Sequence, residues 1–182
     1  MNNKKVLFEK DGFRHWKSLN DTIMGGNSVA TCENTSSGLL FKGNIVEKGG
    51  GFVSCRSSIY KPPLNLSEFN NFEINISGEG RNFKFAIACQ DEIFGLTEFI
   101  PGGLRWIKSF STKKFGNTIV TISFKDLNPS IRANKVSFPF KFKPSKIKRI
   151  QLLHSKFGDE GKLNENFKPG SIKILLKSIS VF

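Results

Sequence analysis

An antiparallel β-sandwich is the fold class predicted for this chain, on three observations. Apolar and polar residues alternate with a period of two, and stripes of helical period are scarce. Strand-like runs recur every ~10–15 residues, separated by Gly, Pro, Asn and Ser. A chain of 182 residues has the size of one domain and buries roughly 70% of its unfolded surface. Residues 1–182 are therefore expected to form a single β-sandwich domain with an unstapled core.

The strands follow in order. GLLFKGNIV (38–46), GFVSCRSSI (51–59) and FEINISG (72–78) are short, rich in β-branched and aromatic residues, and bounded by SSG, EKGGG, KPP and GEGRN. In NFKFAIAC (82–89), Phe83, Phe85, Ile87 and Cys89 share one face, with Lys84, Ala86 and Ala88 on the other. LRWIKSF (104–110) follows the PGG of 101–103, and in NTIVTISF (117–124) either Ile119 or Val120 begins the buried side. IKRIQLLHS (147–155) precedes the KPG turn and SIKILLKSISVF (171–182). In that last run Ile172, Ile174 and Leu176 are even-numbered whereas Ile179 and Val181 are odd, the one-residue slip that a β-bulge produces. Only LNLSEFNN (64–71) and DLNPSI (126–131) suit a short helix or turn.

Composition bounds the chemistry. Nineteen Phe stand against one Tyr and two Trp, and Phe fills a core without a polar group to satisfy. Three cysteines, Cys32, Cys55 and Cys89, form no CxxC pair, so neither a disulfide framework nor a thiolate zinc site is expected and a reducing compartment fits. The start, MNNKKVLFEKDGF, holds no apolar run of signal-peptide length, and no stretch approaches the ~18–20 apolar residues of a spanning helix. A cytoplasmic protein is expected, its membrane contact, if any, peripheral.

No catalytic constellation emerges. The two histidines, His15 and His154, lack HxH, HxxxH or HExxH spacing. GxSxG, GxGxxG and GxxxxGK[ST] are absent, and the adjacent carboxylates Asp91–Glu92 and Asp159–Glu160 point apart on extended chain. No enzyme activity, cofactor or metal is expected.

The net charge of +13 and pI near 9.8 suit an anionic partner, whether phosphate backbone, lipid headgroup or acidic protein surface. KFKPSKIKR concentrates Lys141, Lys143, Lys146, Lys148 and Arg149, with Phe140 and Phe142 interleaved. Such a strip can track a phosphate backbone and stack bases, or its Phe side can face the core while its Lys side faces water, which is favoured.

Two segments remain, Trp16 to Ser28 (W-x3-NDTIMGGNS) and Gly49 to Ser57 (GGGFVSCRS). With RWIKSFST, SFKDLNPSIRA and FKPGSIKILLKSISV they resemble, in matching order, the complex I intermediate-associated protein family and its W…NDxxMGGxS and GGFxSxR signatures. The resemblance implies a jelly roll of the galactose-binding-domain type. It also implies a non-enzymatic assembly factor for a respiratory or photosynthetic membrane complex, in a free-standing form of cyanobacterial type, with protein subunits of an assembly intermediate as partners. The alternatives are an RNA-binding module and, on fold analogy, a carbohydrate-binding sandwich in which Trp16 and Trp106 stack a sugar.

The residues expected to carry binding are Asn20, Asp21, Met24, Gly25, Gly26, Ser28, Gly50, Gly51, Phe52, Ser54 and Arg56, with Trp16 as local anchor. NDTIMGG is read as a turn. Asp21 is expected to receive the Arg56 guanidinium in a bidentate pair, or else the two signatures only build a loop–strand junction.

Overall fold

The computed structural model describes residues 3–90, 103–132, 134–137 and 141–182. It contains two antiparallel sheets packed face to face. The strands are β1 (Lys5–Glu9), β2 (Lys17–Asn20), β3 (Val29–Thr35), β4 (Gly38–Ile45), β5 (Phe52–Arg56), β6 (Asn71–Ser77), β7 (Asn82–Cys89), β8 (Leu104–Ser111), β9 (Thr118–Ser123), β10 (Asn128–Ile131), β11 (Asn134–Lys135), β12 (Ile147–Ser155) and β13 (Gly170–Val181). The six-stranded sheet runs β3-β4-β13-β6-β9 with β1 also on β13, and the seven-stranded sheet runs β11-β10-β8-β7-β12-β5-β2.

The alternating patterns point inward as period two requires. Phe83, Phe85 and Ile87 on β7 face Phe72, Ile74 and Ile76 of the opposite sheet across one core, with Phe72 and Phe85 packed edge to face, centroids 5.0 Å apart. On β9 the even phase wins: Ile122 is buried and Ile119 exposed. The slip in β13 is real, its pairing with β6 shifting between Leu176 and Ser178, so that Leu176 and Ile179 both reach the core.

Two expectations are corrected and one is resolved. Of the two alternatives, residues 64–70 take the turn, without helix, with Leu64 bridging to Ile147 and Asn71 already in β6. Most of DLNPSI is strand β10, paired with β8. Cys32 of β3 and Cys55 of β5 form a disulfide that links the two sheets, their Cα atoms 6.1 Å apart. Motif spacing along the chain is blind to such a pair, because the packing of one sheet on the other brings the two thiols together. Cys89 stays a buried free thiol, its pKa pushed up by burial to about 12.

Candidate functional site

The two signatures meet at Asp21. Strand β2 ends at Asn20, a short 3-10 turn spans Asp21–Met24, and Gly25 closes it in the left-handed region at φ 83°, a conformation glycine adopts without steric cost. This turn buries Asp21 completely. Its carboxylate accepts four hydrogen bonds. The Ser28 amide donates to Oδ1 at 2.9 Å, and the Ser28 hydroxyl donates to Oδ2 at 2.6 Å. The amides of Gly51 and Phe52 donate to Oδ2 at 2.7 and 3.4 Å. Burial alone would raise the pKa of this acid, but the bonds from Gly51, Ser28 and Phe52 outweigh it and hold the carboxyl below its ordinary value.

The glycines follow from that acid. A Cβ on Gly26 or on Gly50 would collide with the Asp21 side chain, and the Gly26 amide donates to the Asp21 carbonyl at 2.9 Å. Ser28 Oγ in turn accepts from the Val46 amide at 2.9 Å, tying the loop to the chain that leads into the second signature. Asn20 Nδ2 donates to the Ala30 carbonyl at 3.0 Å. Ser54 Oγ donates to the Leu19 carbonyl at 2.6 Å and accepts from Gln151 Nε2 at 2.9 Å. Trp16 packs edge-on against Phe8 and Phe13 at 5.2 and 5.4 Å.

The expected Asp21–Arg56 pair does not form: donors from Ser28, Gly51 and Phe52 occupy the carboxylate instead. Arg56 ends β5, where burial lowers its own pKa and its charge adds to the lowering of Arg105 and Arg149. Between the exposed Thr22 and Asn27, the loop and the start of β3 present large apolar side chains outward. Ile23 is 65% exposed, Met24 70% and Val29 61%.

The KFKPSKIKR segment is not a continuous strand face. Lys141 and Lys143 precede a 3-10 turn at Pro144–Lys146, and Lys148 and Arg149 lie in β12. Phe142 turns inward, packing on Trp106 at 5.7 Å and Phe124 at 5.4 Å, while Phe140 lies outside the described residues. Lys141 and Lys146 are exposed; Lys143, Lys148 and Arg149 are half-buried. Both tryptophans are buried, which removes the sugar-stacking faces that an exposed indole would offer.

A buried network around His154 had no signal in the sequence beyond a lone Arg in GEGRN. Arg81 Nη1 donates to His154 Nε2 at 3.1 Å, and His154 Nδ1 donates to the Asn82 carbonyl at 2.8 Å. Burial, opposed by the Asn82 bond and helped by the nearby Arg81 and Lys168 charges, lowers the imidazole pKa to about 4.

Solved structures match this architecture. The family 11 carbohydrate-binding module of Clostridium thermocellum, in complex with a β-1,3-1,4-mixed-linked tetrasaccharide, aligns with TM-score 0.66 at 14% identity, over 98% of this chain and 95% of that one. A family 30 carbohydrate-binding module aligns with TM-score 0.51 at 13% identity, over 98% and 99%. An exo-β-agarase aligns with TM-score 0.54 at 14% identity, over 96% of this chain and 24% of that one. At such identities the likeness is one of fold, a jelly-roll sandwich of galactose-binding type. A comparison with curated proteins finds no match. The family model described as complex I intermediate-associated protein 30 matches residues 6–175, and with it nearly the whole sandwich and both halves of the Asp21 cradle. The chain belongs to the complex I intermediate-associated protein 30 family.

Proposed function

We propose that this protein is a non-enzymatic assembly factor, one β-sandwich domain that binds a protein intermediate of a respiratory or photosynthetic membrane complex. The observation that carries the reading is the signature loop. Asp21, Ser28 and the glycines are spent on holding the loop, and the side chains left facing water include the large apolar pair Ile23 and Met24, flanked by Thr22 and Asn27. Apolar side chains displayed on a hydrogen-bonded turn suit a protein contact, where Met adapts to irregular surfaces. The family name supplies the partner class, an intermediate of complex I.

Among the described residues no helix is long and apolar enough to cross a membrane. A protein that reaches its membrane-bound client peripherally, with a net charge of +13 drawing it to anionic lipid, fits the same reading.

The test is affinity capture from detergent-solubilised cells with tagged wild type and an Ile23→Ser/Met24→Ser variant. Wild type should recover subunits of a membrane complex and the variant should not. Recovery of no such subunit above background by wild type would sink the proposal. Equal recovery by both would move the contact away from this loop.

A further inference from the structure

Three arginines from separate strands converge on the outer face of the seven-stranded sheet. On β5 Val53 and Cys55 enter the core, on β12 Ile150 and Leu152 do, and on β8 Trp106 and Phe110 do. Arg56, Arg149 and Arg105 therefore project to the opposite face, each half-buried. Arg56 lies opposite Gln151, two residues from Arg149 on the neighbouring strand. Between β12 and β8 runs β7, whose outward residues Ala86 and Ala88 pair with Gln151 and Arg149. The register that sets Ile87 opposite Trp106 brings Ala88 beside Arg105. The buried Ala88 thus lies between Arg149 on one side and Arg105 on the other, with no long side chain of β7 separating them.

Among the described residues no carboxylate lies within ion-pair distance of these three guanidinium groups. Arg149 Nε is buried without a hydrogen-bond partner, and among the described residues Arg105 Nη1 donates to the adjacent Leu104 carbonyl at 3.0 Å. Burial, then Arg56, then Arg105 lower the Arg149 pKa to about 10. Further along the same face the charges are matched: Lys135 pairs with Glu160 at 3.4 Å, and Asp159 offsets part of the burial penalty on Lys84.

We propose that Arg56, Arg105 and Arg149 form a binding site for a phosphate monoester group. Guanidinium forks match phosphate oxygens bidentately. A tetrahedral dianion offers enough oxygens and charge for three forks, whereas a carboxylate offers two oxygens and one charge. The group is carried either by a soluble phosphate compound or by a lipid headgroup, and the site is independent of the Ile23–Met24 loop.

The experiment is calorimetric titration of the full chain with inorganic phosphate at low ionic strength, with acetate as control. It is paired with flotation on phosphatidylcholine vesicles containing either phosphatidic acid or phosphatidylserine. Wild type should bind phosphate and not acetate, and Arg105→Gln and Arg149→Gln should each weaken binding at least about tenfold. Arg149→Lys, which keeps the charge but not the fork, should lie between. Phosphate binding without flotation assigns the site to a soluble compound. Flotation on phosphatidic acid but not phosphatidylserine, lost in the same variants, assigns it to a lipid headgroup. The proposal is overturned if wild type binds neither phosphate nor phosphatidic acid vesicles, if acetate binds as tightly, or if neither the Gln nor the Lys substitutions weaken binding. An Ile23→Ser/Met24→Ser variant should bind phosphate as wild type does, so client capture and anion binding fail separately.

Discussion

Two charged sites on β5 and its surroundings solve opposite problems. Asp21 is wholly buried, yet every bond it needs is supplied by amides and a hydroxyl of the chain itself. Arg56, at the far end of the strand whose first amide bonds Asp21, is half-exposed and sits among like charges. A charge satisfied from within holds a fold together; a charge left in the field of its own kind is a demand on something outside. Aspartate in a signature motif invites a functional reading, and here it is the arginine whose environment supports one.

Breaking the first site should have the largest effect. Asp21→Asn puts an amide N–H₂ against the amide donors of the cradle, and the cost should be about 3 kcal/mol in urea unfolding. A change under about 0.5 kcal/mol would mean that the cradle does not hold the loop.

Acidification resolves the buried groups one from another. The folded pKa of His154, about 4, lies below its ordinary value near 6.5, so its contribution is present above about pH 6.5 and is lost as pH falls towards 4. The depressed Asp21 pKa gives stability that is present above about pH 4 and lost below it. Urea midpoints measured from pH 7 to 3 should fall in two steps; His154→Gln should flatten the upper one and Asp21→Asn the lower.

Smaller effects on stability sharpen the contrast. Ile23→Ser/Met24→Ser should change unfolding by no more than about 0.5 kcal/mol, since both side chains already meet water, while client capture is lost. Arg149→Gln should leave stability unchanged or raise it by a few tenths of a kcal/mol as like-charge repulsion is relieved, an increment that fades with added salt. A loss of more than about 1 kcal/mol would show that Arg149 is satisfied within the fold.

Elements and site were legible to different depths. IKRIQLLHS and NFKFAIAC coincide with β12 and β7, because strong alternation beside turn residues specifies both strand and face. The hairpin β10–β11 escaped, since β11 has two residues and β10 carries Pro129, leaving too little pattern to read. The importance of Asp21 was visible in its setting of Asn and Gly, but its partners were not: backbone amides belong to every residue and carry no signature. The arginine cluster and the Cys32–Cys55 link were out of reach for another reason. Both depend on which strands become neighbours, and spacing along the chain says nothing about that.

Strand β13 has a consequence for the order of events when the chain is made. Its first half pairs with β4, its second half with β1, and its other edge with β6. Every partner is synthesised before it, so the six-stranded sheet lacks its spine until residues 170–181 have left the ribosome. Until then β1, β4 and β6 present unpaired edges, and folding waits on contacts of long sequence separation. A nascent chain stalled short of residue 170 is therefore an open sandwich, with the aggregation hazard that exposed strand edges bring.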